Sequence, residues 1–213
     1  MTKILFVFLG AATLTITAFS QTQNQPENAP ACNLSLSQAP AIRGIRLGME
    51  HDEWLKLFPG SAQDPQLKAR LDRSAGFPTY GLTSIAIGPA LSNGPFNYLP
   101  EGEFSGVGFV NLTLFDKRIV GYLIEYAPEM DIGNPWEDVT QLIPIFSKPF
   151  NLPQVSAWDK NGAKATLRCN GFELSLTAKN PPQVSLKLTS DFNQTIRQRE
   201  AADRQKHRAA FKP

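Results

Sequence analysis

"AKATLRCNGFELSLTA" (residues 163–178) carries Asn170-Gly171 between two runs of alternating character. Asn-Gly is the preferred pair for a two-residue type I′ turn, whose twist matches that of the strands it joins. Such a turn sets the register. Cys169 stands opposite Phe172, Leu167 opposite Leu174 and Ala165 opposite Leu176 on one face; Arg168 with Glu173, Thr166 with Ser175 and Lys164 with Thr177 fall on the other. The first face is core, and the second faces water or a partner. After a "KNPPQ" turn, Val184, Leu186 and Leu188 alternate with Ser185, Lys187 and Thr189, predicting a third strand of the same kind.

This pattern gives the fold class: α+β, an antiparallel sheet of meander hairpins with helices packed on one face. "GVGFVNLTLFDKRIVGYLIEYA" adds a second hairpin that turns at Asp116-Lys117, where charge interrupts two runs of Val, Ile, Leu, Phe and Tyr. Its apolar positions change parity near Phe109 and Val110, so either a β-bulge or burial on both faces is expected there. "LTSIAIG" reads as a further strand, and "AIRGIRLG", where Ile45 and Leu47 flank Arg46, as a short one.

Helices are marked by spacing and by caps. Trp54, Leu57 and Phe58 share a helical face that Pro59-Gly60 ends, and Leu67 and Leu71 form the stripe of a second helix in "PQLKARLDRS". A third is expected from "GNPWEDVTQLIPIF", with Asn134 as cap, Pro135 at the first position and Glu137 at the third. Val139, Leu142, Ile143 and Phe146 supply its apolar face, and Pro144 should end or kink it. The C-terminal "TIRQREAADRQKHRAAFKP" has high helix propensity and a basic excess. It reads as a solvated charged helix, as a docking segment for an anionic surface, or as disorder.

"GMEHDEW" places His51, Asp52 and Glu53 together, three residue types used for metal ligation and proton transfer. On a helix, however, consecutive side chains diverge by about 100°, and ligand pairs come three or four residues apart. Glu53 stands three residues after Glu50, the spacing that reaches back to a helix cap, and acidic residues there face the positive end of the helix dipole. A helix start accounts for the motif.

The segments fall into an ordered series. Residues 1–20, with Lys3 as the only charge before an apolar run and small residues near Ser20, read as a signal peptide. Residues 21–40 are a flexible polar leader; 41–128 and 129–190 are two α+β units in tandem; 191–213 is the basic C-terminal helix. Export, periplasmic or secreted, puts Cys32 and Cys169 where an oxidising environment would join them. The alternative is two separate thiols. No segment of the mature chain is long and apolar enough to span a bilayer.

The 213 residues carry 21 basic and 19 acidic side chains, a net charge of +2, too balanced to imply a nucleic-acid partner. No GxSxG, HExxH, CxxC or phosphate-cradling glycine loop is present, so no catalytic, metal or cofactor site is assigned. Glu129, Asp131, Asn134, Glu137 and Asp138 crowd oxygens as a calcium site would, without a calcium-loop signature. The expected function is therefore an exported, non-enzymatic protein-binding or envelope-associated module. Its contact residues would be Lys164, Arg168, Glu173 and Lys187 on the polar sheet face. The alternative is a hydrolase with a carboxylate pair, Glu101 and Glu103, in the Pro/Gly-rich loop 88–106. Asn33, Asn111 and Asn193 begin Asn-X-Ser/Thr sequons, which matter in a host that glycosylates.

Leu47-Gly48-Met49 with Glu53 resembles the helix start of the β-lactamase inhibitor protein family and of the related small outer-membrane assembly lipoproteins. Glu50 replaces the usual capping Ser or Thr, and Trp54 a small aliphatic residue. The resemblance implies two helix-plus-antiparallel-strand units in tandem. It carries over no inhibitor contact residue, and the lipid-anchoring Cys of the assembly lipoproteins is absent.

Overall fold

The computed structural model describes residues 32–74, 80–88, 98–100, 102–127, 138–179 and 181–210. The expected signal peptide, the start of the leader, most of the Pro/Gly-rich loop and the segment around Asn134 lie outside them. In chain order the elements are α1 (His51–Trp54), α2 (Pro65–Ser74), β1 (Leu82–Ile87), β2 (Val107–Phe115), β3 (Arg118–Tyr126), α3 (Val139–Ser147), β4 (Asp159–Asn161), β5 (Lys164–Cys169), β6 (Phe172–Thr177), β7 (Gln183–Leu188) and α4 (Asn193–Ala210).

β5 and β6 pair in the expected register, from Cys169 opposite Phe172 to Lys164 opposite Thr177. The turn type differs. Gly171 is left-handed at φ 93°, but Asn170 is not, and one left-handed residue at the second position fits a type II turn rather than type I′. The peptide is held from both sides: Asn170 N–H donates to the Leu34 carbonyl at 3.0 Å, and Thr189 N–H to the Gly171 carbonyl at 3.2 Å. The turn with two left-handed residues lies instead at Asp116-Lys117, φ 49° and 67°, between β2 and β3.

All seven strands form one antiparallel sheet in the order β1-β2-β3-β7-β6-β5-β4. The last strand of each expected unit, β3 and β7, meets at the centre, and the earlier strands spread outward on either side. Gly121 of β3 sits opposite Lys187 of β7, and a Cβ there would approach Lys187 Cβ to 3.2 Å, so the glycine permits this central contact. The parity change in β2 is a bulge: Val107 pairs with Tyr126 but Phe109 with Glu125, leaving Gly108 unmatched.

Inward positions from every long strand join one core. Ile85, Leu112, Ile124, Leu186, Leu174 and Leu167 are all fully buried, and Trp54, Phe58, Leu67, Leu71, Leu142 and Ile143 cover them from the helical segments. Burying a side chain such as Phe58 completely is worth roughly 2–3 kcal/mol relative to exposing it. The Glu50 cap forms as expected: Glu53 Oε2 accepts from Glu50 N–H at 3.2 Å, and Trp54 Nε1–H reaches the Lys117 carbonyl at 3.3 Å.

Three further expectations are corrected, and one of the two alternatives for Pro144 is excluded. Residues 42–47 make no strand; Arg43 and Gly44 are both left-handed, and Ile42 and Ile45 form a single bridge around them. α3 is capped by Asp138, not Asn134: Thr140 N–H donates to Asp138 Oδ1 at 2.8 Å, and the Asp138 backbone is extended. Pro144 does not end α3, which continues to Ser147, because Val139, Leu142, Ile143 and Phe146 are all buried and hold the segment down. The last residues of the leader are bound rather than solvated: Cys32 is joined to Cys169, Cα–Cα 4.6 Å, and Pro40 is buried with its carbonyl near the Tyr122 hydroxyl.

Candidate functional site

The sheet face turned away from the helices of the core is built in rows set by strand register. One row runs Thr113, Gly121, Lys187, Glu173, Arg168 across β2, β3, β7, β6 and β5. The next runs Asn111, Leu123, Ser185, Ser175, Thr166, Asp159, ending on β4. A third runs Glu125, Gln183, Thr177, Lys164, Asn161. Adjacent strands lie about 4.8 Å apart, so neighbours within a row are within side-chain reach.

The first row concentrates charge. Glu173 lies between two cations, with Lys187 Nζ 2.9 Å from Oε1 and Arg168 Nε 3.4 Å from Oε2, and Arg168 Nη1 reaches Asp159 Oδ2 at 3.3 Å. The Glu173 side chain is 15% exposed, against 60% for Arg168 and 61% for Lys187. The Glu173 carboxylate is thus the sunken member of a ladder whose two cations reach solvent. Two cations and two anions balance, so the ladder presents alternating charge rather than a field of one sign.

The structure brings together three of the four residues expected on this face. Lys164 stands apart, four residues along β5 from Arg168, a separation of roughly 13 Å at the usual strand rise. Asp159 joins the ladder unexpectedly. Its signal was Gly162, left-handed at φ 57°, which with Ala163 turns β4 back to face β5 so that Asn161 stands opposite Lys164. Thr166 and Ser175, on the face read as turned to water or a partner, are buried, and their hydroxyls bond each other at 3.2 Å.

Other sequence candidates disperse. The His51 ring bonds Asp52 Oδ1 at 2.9 Å and packs edge-on to Trp54, while Glu53 turns to the helix start and to Arg46, 3.7 Å away. Of the calcium-like oxygens only Asp138 is described, and Thr140 occupies it; those bonds hold its carboxyl below the ordinary value. Among the described residues no group of three or more His, Cys, Asp or Glu is placed to hold a metal ion. Glu101 lies outside the described residues. Glu103 is exposed, and its carbonyl accepts from Arg43 Nη1 at 2.9 Å.

α4 lies against the outward side of the β2–β3 turn. Phe192 packs on Phe115 at 4.8 Å, Arg199 stacks over the same ring at 4.9 Å and donates to the Tyr80 carbonyl at 2.8 Å. No helix among the described residues is long and apolar enough to cross a membrane. A shallow cleft of about 330 Å³ opens at the end of α3 beside Pro144, Lys148, Asn151 and Pro153. Ser147 lines it, yet its hydroxyl is buried without a hydrogen-bond partner.

Comparison with known protein families, curated proteins and solved structures finds no match to this chain.

Proposed function

We propose that the chain is an exported, non-enzymatic module that binds a protein, or associates with the cell envelope, through the polar face of its sheet. The observation that carries this reading is the ladder of Lys187, Glu173, Arg168 and Asp159 on a sheet face that the core helices leave open. Alternating charge held at fixed register recognises a partner by complementarity and rejects wrong ones by like-charge contact. Export rests on the apolar leader with its small residues near Ser20, and a chain carrying a disulfide suits an oxidising compartment. The mirrored order of strands around β3 and β7 favours the tandem arrangement that the inhibitor-type resemblance implies. No observation favours the hydrolase reading.

The test is affinity capture of the tagged chain from its native envelope or secreted fraction, followed by mass spectrometry. A partner captured by the wild type and lost on Arg168→Glu with Lys187→Glu is expected. Equal capture by both, or capture of nothing, overturns the proposal. Mass spectrometry of the exported chain tests the leader directly, with a mature N-terminus at or near Gln21 expected.

A further inference from the structure

The two edges of the sheet differ in kind. β4 is only three residues long, carries Asp159 and Lys160 and turns at left-handed Gly162, features that discourage pairing with another strand. β1 has neither the brevity nor the charge. Its six residues, Leu82–Ile87, contain no charge and no proline, and every residue is matched to β2 without a bulge.

Which backbone groups of β1 turn outward follows from its pairing. Asp116 N–H donates to the Gly81 carbonyl at 2.8 Å, and Gly81 continues the register one residue before Leu82 opposite Phe115, so it forms a hydrogen-bonded pair. Alternation then turns the backbone groups of Thr83, Ile85 and Ile87 toward β2 and those of Leu82, Ser84 and Ala86 outward. Among the described residues no strand pairs with that edge. Ser84, at its middle, is exposed.

We infer that β1 is a self-association edge, on which a second copy of this chain pairs its own β1 antiparallel about a two-fold axis at Ser84. An occupant must offer an extended segment, uncharged, with outward N–H and C=O groups at alternate residues. β1 of another molecule meets each condition. With Ser84 opposite Ser84 of the second copy, Leu82 falls opposite Ala86 and Ala86 opposite Leu82, so the three outward residues match one another without remainder. The axis is perpendicular to the sheet, which keeps both helix layers on the same side and makes a continuous sheet. Growth stops there, because the outer edges of the pair are the two blunted β4 strands; the symmetry closes rather than propagating into a fibre. One strand pair is a small interface, so the dimer is weak and reversible.

The experiment is sedimentation of the full chain, disulfide intact, from micromolar to millimolar concentration, with Ser84→Lys, Ser84→Glu and an equimolar mixture of the two. Like charges on the axis weaken self-association by roughly fivefold, and opposite charges in the mixture restore it. The Ser84 side chain is exposed, and circular dichroism checks that each variant folds. In the wild type, amide exchange at Leu82, Ser84 and Ala86 should slow as concentration rises, while Thr83, Ile85 and Ile87 stay protected throughout. A wild type that is monomeric at millimolar concentration, a dimer indifferent to both charges, or outward amides that exchange equally fast in monomer and dimer overturns the inference.

Discussion

Arg199 grips Asp116 from 83 residues away in sequence, with Nη1 2.7 Å from Oδ1 and Nη2 2.6 Å from Oδ2, and this two-pronged contact fastens α4 to the sheet. No residue of α4 is fully buried, and this pair, the Tyr80 carbonyl and the Phe192–Phe115 contact are among the contacts that hold it to the sheet. The Arg199 hydrogen bonds hold the Asp116 carboxyl below its ordinary value, and partial burial opposes them. A depressed carboxyl stabilises the docked state above its unfolded value and loses that contribution as pH falls through the folded value. Docking of α4, followed by amide exchange, should hold from neutrality to about pH 4 and loosen below it. Asp116→Asn should remove most of that pH dependence at a cost of at most about 1 kcal/mol, since both groups are substantially exposed. An unchanged profile in the variant would show that other contacts fix the helix.

Gly81→Ala tests the same junction sterically. Gly81 is left-handed at φ 96°, and a Cβ there would lie 2.3 Å from Asp116 Oδ1 and 2.6 Å from Arg199 Nη1. Separation of the ion pair and release of α4 is expected on top of about 1 kcal/mol of backbone strain. Gly162→Ala is the control. It is left-handed at φ 57° with nothing within 4 Å of the added Cβ, so it should show the strain alone. Denaturant melts and α4 amide exchange of the two variants should differ accordingly, and equal behaviour refutes the steric account.

The bridge between Cys32 and Cys169 closes 137 residues and fixes the segment that supplies the Leu34 carbonyl to Asn170. Cys32→Ser with Cys169→Ser should lower stability by roughly 2–5 kcal/mol. Exchange of the Asn170 amide should rise with it, because its acceptor is no longer tethered. A protected Asn170 in the double variant would mean that packing of Leu34, not the bridge, positions this segment.

Ser147→Ala should stabilise the fold. The Ser147 hydroxyl is buried without a partner in the last turn of α3, so its removal relieves an unpaired polar group and improves helix propensity. A gain of about 1 kcal/mol by chemical denaturation is expected. A loss of stability would show that the hydroxyl finds a partner in solution, with water in the adjoining cleft as the first candidate.

Local features were legible because they involve few residues at short separation. Asn170-Gly171 fixed the β5–β6 register, Leu67 and Leu71 located α2, and Glu50 with Glu53 marked the start of α1, removing any need for chemistry at His51. Of the candidate site, Arg168 and Glu173 could be paired from the turn and Lys187 placed on the same face by alternation, while its place in their row came from the β6–β7 register. Asp159 could not, since β4 is too short to show a period. The type of the Asn170 turn was also hidden, because Leu34 and Thr189 reach it from distant parts of the chain.

By itself, then, the sequence determined the α+β class, the hairpins and the parity that sends Leu167 and Leu174 inward and Arg168 and Glu173 outward. These follow from turn dihedrals and side-chain periodicity, which act over a few residues. Tertiary structure alone decided that β3 pairs with β7 to make one sheet, that β1 and β4 become its edges, and that Arg199 brings α4 onto the β2–β3 turn. Each of those contacts closes a long loop between segments whose local patterns would pair equally well elsewhere. The choice among them belongs to the packing of the whole core.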